Sequence, residues 1–202
     1  MHAHAMPLTG SAEAEAQRIA RGLRCKDLTV INELIEWYQF RLARYLFYVT
    51  GRRENVEDLA QETWLRVLER GAQYDGRSRF EPWLFSIARN LAFDQFRKRR
   101  MLSLDADVTS ESGESIPQEI AASNVSSPFL AAARSEDATR LAAAMDLLEP
   151  IYREALLLRF QEELSLQEIA EVTGAPVTTI SSRIYRGLAA LRSQWEGGTN
   201  AI

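Results

Sequence analysis

The sequence predicts an all-α protein made of two small helical domains joined by a flexible acidic linker. Apolar residues recur at helical spacing almost throughout, and no stretch alternates between apolar and polar residues as a strand would. Residues 102–135 break this pattern, because Ser, Asp and Glu are frequent there and two prolines interrupt. A chain of 202 residues, 46% of them hydrophobic, is long enough for one or two such domains.

The chain before residue 101 predicts helices over about 13–24, 28–50, 55–71 and 82–100. Asp27 and Asn55 are residue types that cap helix N-termini, and each directly precedes an amphipathic stretch. Gly51 and Gly71 are expected to end those two helices. Pro82 suits the first turn of the fourth helix, where its missing amide hydrogen costs nothing.

Helical periodicity returns near Asp137 and ends in a helix-turn-helix pattern. A helix over 151–160 is followed by a second over 166–172, capped by Ser165, and by a third over 177–191. Gly174 lies at the corner between the last two helices, where a positive φ is expected. The apolar residues expected to be buried on the third helix are Val177, Ile180, Ile184, Leu188 and Leu191.

Charge is distributed unevenly and indicates a nucleic-acid partner. Residues 52–101 carry 11 Lys and Arg against 8 Asp and Glu, whereas residues 102–140 carry 2 against 7. The window 177–195 contains no acidic residue but holds Arg183, Arg186 and Arg192. A basic half within a chain of net charge −4 favours binding to phosphates.

Several classes of activity are disfavoured by composition. Cys25 is the single cysteine, and both histidines lie in the first four residues, so neither a cysteine-rich zinc site nor histidine-based catalysis is expected. Glu162 and Glu163 are expected to face water in a turn rather than to bind a metal. No catalytic residue, metal or cofactor is therefore predicted. The lack of a long apolar run predicts no membrane insertion and a cytoplasmic protein.

Four sequence blocks together resemble the sigma factors of bacterial RNA polymerase, of the extracytoplasmic-function (ECF) group in the sigma-70 family. The first half carries EDLAQETW at 57–64 and FEPWLFSIARN at 80–90. The second half carries LEPIYREALLLRF at 148–160 and SLQEIA, which continues into the last helix, at 165–192. The resemblance covers about residues 28–101 and 138–193.

The resemblance implies an organisation and a function. The expected segments are a leader with a short helix (1–27), a region 2-like domain (28–101), a linker (102–137), a region 4-like helix-turn-helix domain (138–195) and a tail (196–202). The implied function is to bind core RNA polymerase, direct it to specific promoters and help melt the DNA. The implied partners are the clamp and flap regions of core polymerase, promoter DNA and an anti-sigma factor.

The resemblance also implies which residues bind these partners. The residues expected to bind core polymerase are Asp58, Gln61, Glu62 and Arg66. Those expected to hold the downstream, minus-10 element are Arg77, Ser78, Arg79, Trp83, Arg89, Asn90, Arg97 and Lys98. Those expected to read the upstream, minus-35 element are Thr178, Thr179, Ser181, Ser182, Arg183 and Arg186.

Chemistry supports these assignments, and the alternative is a set of solvated helix faces. Opening a duplex without ATP requires that extruded bases gain more from the protein than they lose from the stack. Aromatic and basic residues alternate between Phe80 and Lys98, although most of these aromatics are expected in the core. The amide of Asn90 can donate and accept hydrogen bonds at once, which suits a base pocket.

Two departures and two alternative functions remain at this point. Ser181 occupies a position where many family members have lysine, and Pro176 replaces the usual serine, so the upstream sequence preference is expected to differ. One alternative is a stand-alone helix-turn-helix regulator that binds an operator without polymerase, although no dimerisation segment is evident. The other is a degenerate sigma-like protein that binds or antagonises polymerase.

Overall fold

A computed structural model describes residues 12–51, 53–104 and 136–197. All regular elements within these residues are helical, which confirms the predicted fold class. The N-terminal half comprises α1 (Ala12–Cys25), α2 (Leu28–Thr50), α3 (Val56–Arg70) and α4 (Phe80–Leu104). The C-terminal half comprises α5 (Glu136–Asp146), α6 (Pro150–Leu156), α7 (Leu166–Thr173) and α8 (Val177–Gly197). Residues 105–135, most of the predicted linker, lie outside the described part of the chain.

Local capping signals of the sequence are mostly confirmed. The Asp27 carboxylate accepts a hydrogen bond from the Thr29 amide at 2.9 Å, and Gly51 ends α2 in the left-handed region with φ 63°. Ser165 and Glu168 form a reciprocal capping box at the start of α7. Gly174 has φ 69° at the corner of the helix-turn-helix, as predicted.

Several helix boundaries differ from the sequence expectations, three of them around α3 and α4. The Asn55 side chain makes no capping hydrogen bond, because a 3₁₀ turn over Arg53–Asn55 leads into α3. Gly71 continues into a second 3₁₀ turn, Gly71–Gln73, instead of ending the helix in a left-handed conformation. α4 begins at Phe80, two residues before Pro82. Each element exists as predicted, and only its end is different.

Helices α1 to α4 pack around a core whose fully buried residues include Leu42, Tyr45, Leu84 and Phe85. Gly76, with φ 75°, brings the α3–α4 connection against α1, since a Cβ atom there would lie 2.9 Å from the Ala16 carbonyl oxygen. This close approach fixes the loop that leads into α4.

A π-helical turn over Leu157–Gln161 follows α6, and α7 and α8 complete the C-terminal half. α8 packs closely on α6 at Gly187, where a Cβ atom would lie 3.1 Å from the Leu156 side chain. Ile180 is fully buried, as predicted. Leu188 was expected to be buried and is instead 44% exposed, because α8 turns Gly187 and not Leu188 toward α6.

The two halves pack directly against each other. α6 lies against α2, and α7 lies against α4. Leu158, Leu164 and Ile169 of the C-terminal half belong to the same buried cluster as the core of the N-terminal half. The sequence predicts two helical domains, and the structure adds that they share a buried interface.

Candidate functional site

One exposed face of α3 carries the residues predicted to bind polymerase. Asp58 and Gln61 are exposed, and Glu62 and Arg66 are partly exposed. Arg66 is held on this face by ion pairs to Glu62 at 3.0 Å and to Glu69 at 3.1 Å. Four polar side chains at helical spacing thus form a continuous charged surface.

The loop before α4 presents two residues of the predicted minus-10 set. The Arg77 side chain is 90% exposed, and its backbone amide donates to the Asp75 carboxylate at 2.9 Å. The Tyr74 hydroxyl donates to the Ser78 carbonyl oxygen at 2.6 Å, and this hydrogen bond ties the two ends of the loop together. Burial raises the pKa of Tyr74, so this phenol stays protonated and able to donate.

Two further basic residues of that set are engaged inside the protein. Arg89 Nε donates to Glu154 Oε1 at 2.9 Å, and the Arg89 guanidinium lies 4.2 Å from the centre of the Phe93 ring. Arg79 forms an ion pair with Glu81 at 2.9 Å and donates to the Glu163 carbonyl oxygen at 3.4 Å. Arg79 is half-buried, and although that burial lowers its pKa, the Glu81 carboxylate outweighs it and raises the pKa overall. Both arginines therefore contact the C-terminal half, Arg89 from a mostly buried position and Arg79 from a partly exposed one.

The remaining residues of the set lie along α4. Asn90 is exposed, and Trp83 is half-buried between the rings of Tyr74 and Phe80, with centroids 5.4 and 5.7 Å away. Arg97 is largely exposed and lies 3.6 Å from Asp94. Lys98 follows on the same helix, and its side chain lies outside the described part of the structure.

The aromatic residues near α4 are divided between core and surface. Phe80 and Phe85 are buried in the core, whereas the sequence led us to expect most of the five aromatics there. Trp83, Phe93 and Phe96 are only half-buried, and Phe93 and Phe96 contact each other edge to face at 6.3 Å. Partly exposed rings beside Asn90 and Arg97 offer stacking surfaces for unpaired bases.

Helix α8 presents the predicted minus-35 residues on its outer face. Thr178, Ser181, Ser182 and Arg186 are exposed, and Thr179 and Arg183 are half-buried. Hydroxyl and guanidinium groups in this arrangement can reach base edges and phosphates in a major groove.

Two exposed apolar residues on these faces were not predicted from the sequence. Tyr185 is 77% exposed and lies four residues after Ser181, on the same side of α8. Leu65 is 54% exposed and lies four residues after Gln61, on the charged face of α3. Their exposure could have been predicted from the sequence, because both positions fall outside the buried apolar stripe of their helix. Both faces therefore combine polar groups with one large apolar contact.

Buried charges connect the two halves. Glu162 is fully buried, and its carboxylate accepts from Arg41 Nε at 2.7 Å and from Arg44 Nη2 at 2.6 Å. The expectation that Glu162 faces water is wrong. Glu163 adopts φ 55°, a left-handed conformation, and the chain there points Glu162 inward while Glu163 stays exposed.

A second buried carboxylate lies close by. Glu154 Oε1 accepts from the Tyr45 hydroxyl at 2.8 Å as well as from Arg89. Burial, reinforced by the Glu154 charge, holds the pKa of Tyr45 well above its usual value. The neutral phenol therefore remains a hydrogen-bond donor at all physiological pH values.

Arg153 stabilises the connection between α5 and α6 through hydrogen bonds. Its guanidinium donates to the carbonyl oxygens of Met145, Asp146 and Leu148, and to that of Tyr48 across the interface at 3.3 Å. Burial lowers the pKa of Arg153, and burial also raises the pKa of Asp146 despite the nearby guanidinium. Arg153 thus satisfies carbonyls that a buried loop would otherwise leave unpaired.

The described residues offer little for metal or membrane chemistry. No group of three or more His, Cys, Asp and Glu side chains among them is placed to hold a metal ion. None of the helices in that part of the chain is long and apolar enough to cross a bilayer.

Comparison with known proteins identifies the two halves. Residues 34–101 match the family model of Sigma-70 region 2, and residues 138–191 match that of Sigma-70 region 4. The chain is 31% identical to the ECF RNA polymerase sigma factor SigW of Bacillus subtilis, over 83% of this chain and 90% of that protein. It belongs to the ECF sigma factor family.

Further relatives agree with this assignment. The RNA polymerase sigma-H factor of Pseudomonas aeruginosa is 31% identical, over 87% of this chain and 89% of that protein. The fold is also that of the sigma factor RpoE of Bartonella quintana, solved in complex with the anti-sigma factor NepR. That match has a TM-score of 0.63 at 24% identity and covers 82% of this chain and 96% of that one. Sigma factor function is thereby favoured over a stand-alone regulator: the protein binds core RNA polymerase, directs it to promoters and helps melt the DNA.

Proposed function

We propose that this sigma factor binds core polymerase through the charged face of α3 and holds promoter DNA through two separate surfaces. The downstream surface is the loop over 75–79 with α4, and the upstream surface is the outer face of α8. What supports the proposal is that every residue of the polymerase set and of the minus-35 set is exposed or partly exposed. Four residues of the minus-10 set are exposed as well, namely Arg77, Ser78, Asn90 and Arg97. Groups that served only to stabilise the fold would instead be paired in the interior.

The proposed domain boundaries follow the same division. Residues 28–101 form the region 2-like domain and residues 138–195 form the region 4-like domain, with the linker over 102–137 between them. Residues 1–27 form a leader with a short helix, and residues 196–202 form a tail. The proposed protein is a promoter-specificity subunit in the cytoplasm, not an enzyme, and it requires no cofactor.

The proposed partners include an anti-sigma factor. The relative of similar fold from Bartonella quintana was solved with such a protein bound. The surface of this chain offers large exposed apolar side chains at Leu65, Tyr185 and Leu188, of the kind that protein interfaces cover. A partner that covered them would compete with polymerase and promoter together.

The decisive experiment is in vitro transcription with core polymerase on a promoter library, beside gel shifts of the free protein. Start sites that depend on both protein and polymerase support the proposal. Tight binding of the free protein to an operator indicates a stand-alone regulator, and binding to polymerase without transcripts indicates an antagonist. Either result overturns the proposal.

A matched pair of variants tests the polymerase surface. Asp58→Arg reverses a charge on the proposed face, whereas Glu57→Arg reverses the preceding charge, which is also exposed and lies about 100° around the helix. We expect Asp58→Arg to weaken binding to core polymerase at least about 10-fold, given that like-charge contacts cost several kcal/mol. Glu57→Arg should bind like the wild type, and equal effects of the two changes would contradict the assignment.

A further inference from the structure

Helix α1 packs against the connection between α3 and α4 at two places. At the first, a Cβ atom on Gly71 would lie 2.9 Å from the Cβ atom of Leu23. At the second, a Cβ atom on Gly76 would lie 2.9 Å from the Ala16 carbonyl oxygen and 3.0 Å from the Cβ atom of Ala20. Side chains in packed interiors keep larger distances than these, so only glycine lets the connection come this close to α1. The two contacts therefore set where the connection lies.

Helix α1 is itself fixed in place by α2. The two helices are joined by Lys26 and Asp27 alone, with Lys26 in the left-handed region at φ 54°. The Asp27 amide donates to the Gly22 carbonyl oxygen at 2.9 Å. Gly22 also packs on Val30 of α2, since a Cβ atom there would lie 2.7 Å from the Val30 side chain. Because α1 is fixed on α2 in this way, it holds the connection between α3 and α4 in one position relative to α2.

A hydrogen bond closes residues 74–79, the part of this connection that we call the minus-10 loop. The Tyr74 hydroxyl donates to the Ser78 carbonyl oxygen at 2.6 Å, and Tyr74 is only 2% exposed. The centre of its ring lies 5.4 Å from that of Trp83. The side chains of Arg77 and Ser78, by contrast, are exposed. The loop thus presents two polar side chains to solvent from a backbone that is held on its inner side.

We propose that the minus-10 loop has its binding shape before DNA arrives, and that Tyr74, Ala16 and Ala20 are positioning residues that help to set its base preference. This inference rests on the proposed function and adds to it the residues that shape the loop. None of the three belongs to the sets predicted to bind DNA, and α1 precedes residues 34–101, the part that matches Sigma-70 region 2. A loop that is already ordered loses less conformational entropy when it binds. A loop of fixed shape also rejects a base that does not fit.

The first test measures base preference with the full chain bound to core polymerase. A promoter library varies each minus-10 and minus-35 position in turn, and sequencing of the transcripts gives the preference at each position. Tyr74→Phe removes one hydroxyl group and keeps the ring. We expect the ratio of transcripts from the preferred base to those from the other bases to fall about 3- to 10-fold at one or more minus-10 positions, as for the loss of one hydrogen bond. The minus-35 preferences should stay as in the wild type, whereas a general loss of folding would lower transcription from all promoters alike.

Matched variants separate positioning from stability. Tyr152→Phe makes the same change at a half-buried position of α6 and should keep the minus-10 preference. Ala20→Val enlarges the side chain that lies against Gly76 and should lower the preference at least about 3-fold, because overpacking moves the backbone. Ala144→Val makes that change at a buried alanine of α5 and should not lower it. Where valine prevents folding, Ala20→Gly and Ala144→Gly form the equivalent pair. A wild-type minus-10 preference in Tyr74→Phe or in the folded Ala20 variant overturns the proposal, and so do equal changes in the control variants.

The second test measures hydrogen exchange of the minus-10 loop in the free chain by mass spectrometry. Tyr74→Phe should raise the exchange rate of the loop amides about 5-fold, because one hydrogen bond that holds the loop closed is lost. Tyr152→Phe should leave that rate unchanged. An unchanged rate in Tyr74→Phe would overturn the role of its hydroxyl in shaping the loop. Failure of the proposed function has a different signature: Arg77→Ala combined with Ser78→Ala would keep the wild-type minus-10 preference, while the exchange rate would still respond to Tyr74→Phe.

Discussion

Arg89 Nε lies 2.9 Å from Glu154 Oε1, so a side chain that the sequence assigns to promoter DNA is paired with the helix-turn-helix half. Arg97, two turns further along α4, is largely exposed and lies 3.6 Å from Asp94. Two arginines of the same predicted set therefore differ in their availability to DNA. This difference can be measured in the free chain.

Arg97→Ala should weaken binding of the free chain to (dT)15, whereas Arg89→Ala should reduce that affinity less, because Arg89 is already paired with Glu154. Loss of one phosphate contact lowers the slope of log affinity against log salt by about 0.7 for a single strand. Anisotropy titrations over a range of salt concentrations give both quantities. A loss of affinity in Arg89→Ala as large as that in Arg97→Ala would show that Arg89 is accessible to DNA in the free chain.

Asn90→Ala and Arg183→Ala should impair different steps of initiation. Asn90 is exposed on α4, where its amide can hold an extruded base, so its loss should spare closed-complex binding and slow promoter opening. Arg183 lies on α8, and its loss should weaken upstream recognition by about 1–3 kcal/mol if it reads a base.

Footprinting of closed complexes and permanganate reactivity of melted thymines separate the two steps. Gln39→Ala, on an exposed part of α2, is the control. Identical defects in both variants would refute the division of roles.

Features determined within a few residues were predictable from the sequence. Ser165 and Glu168 form the capping box that their spacing indicates, and Gly174 adopts the left-handed conformation that the helix-turn-helix corner requires. The three sets of candidate residues also fall on helices or on the loop that the periodicity placed there. Local chemistry, together with the family motifs, was sufficient for these assignments.

Features determined by distant partners were not predictable. Glu162 is buried because Arg41 and Arg44, 121 and 118 residues earlier, supply its hydrogen bonds. Helical periodicity alone does not choose between Gly187 and Leu188 as the contact with α6, since adjacent residues differ by only about 100° around the helix. The packing of the two halves against each other depends on such long-range pairs. The acidic linker predicted between them did not indicate that they would be in contact.

Ser165→Ala should destabilise the helix-turn-helix half by about 1 kcal/mol. The change removes the hydroxyl that accepts from the Glu168 amide at 3.2 Å, so one amide at the start of α7 loses its partner. Urea unfolding followed by circular dichroism measures the difference in the free energy of unfolding. Gln167→Ala, an exposed position of the same helix, should change that free energy by less than about 0.5 kcal/mol. Equal changes in the two variants would show that the cap does not contribute.

Leu65→Ala should weaken binding to core polymerase without loss of folding stability. Leu65 is 54% exposed beside Gln61, and burial of its side chain by a partner would contribute about 1–2 kcal/mol, or roughly 5- to 30-fold in affinity. Leu28→Ala removes an equally large side chain that is 72% exposed at the start of α2, and serves as the control. Surface plasmon resonance with immobilised core polymerase gives both affinities. A wild-type affinity for Leu65→Ala would remove this residue from the interface.

Tyr45→Phe should make the free energy of unfolding fall less steeply as the pH rises above 10. Burial raises the pKa of Tyr45 in the folded chain above the value of 10.0 expected when unfolded. The stabilisation from the neutral phenol is therefore fully present below pH 10 and is lost as the pH rises above it. Phe cannot ionise, so between about pH 10 and pH 11 the free energy of unfolding of the variant should fall less steeply, by about 1 kcal/mol per pH unit. Burial also raises the pKa values of Tyr38, Tyr48 and Tyr74, and these remain in both proteins. Urea unfolding across this range provides the slopes. A parallel curve for Tyr45→Phe would mean that water reaches this phenol through the interface, so that the halves are not closed on Tyr45 in solution.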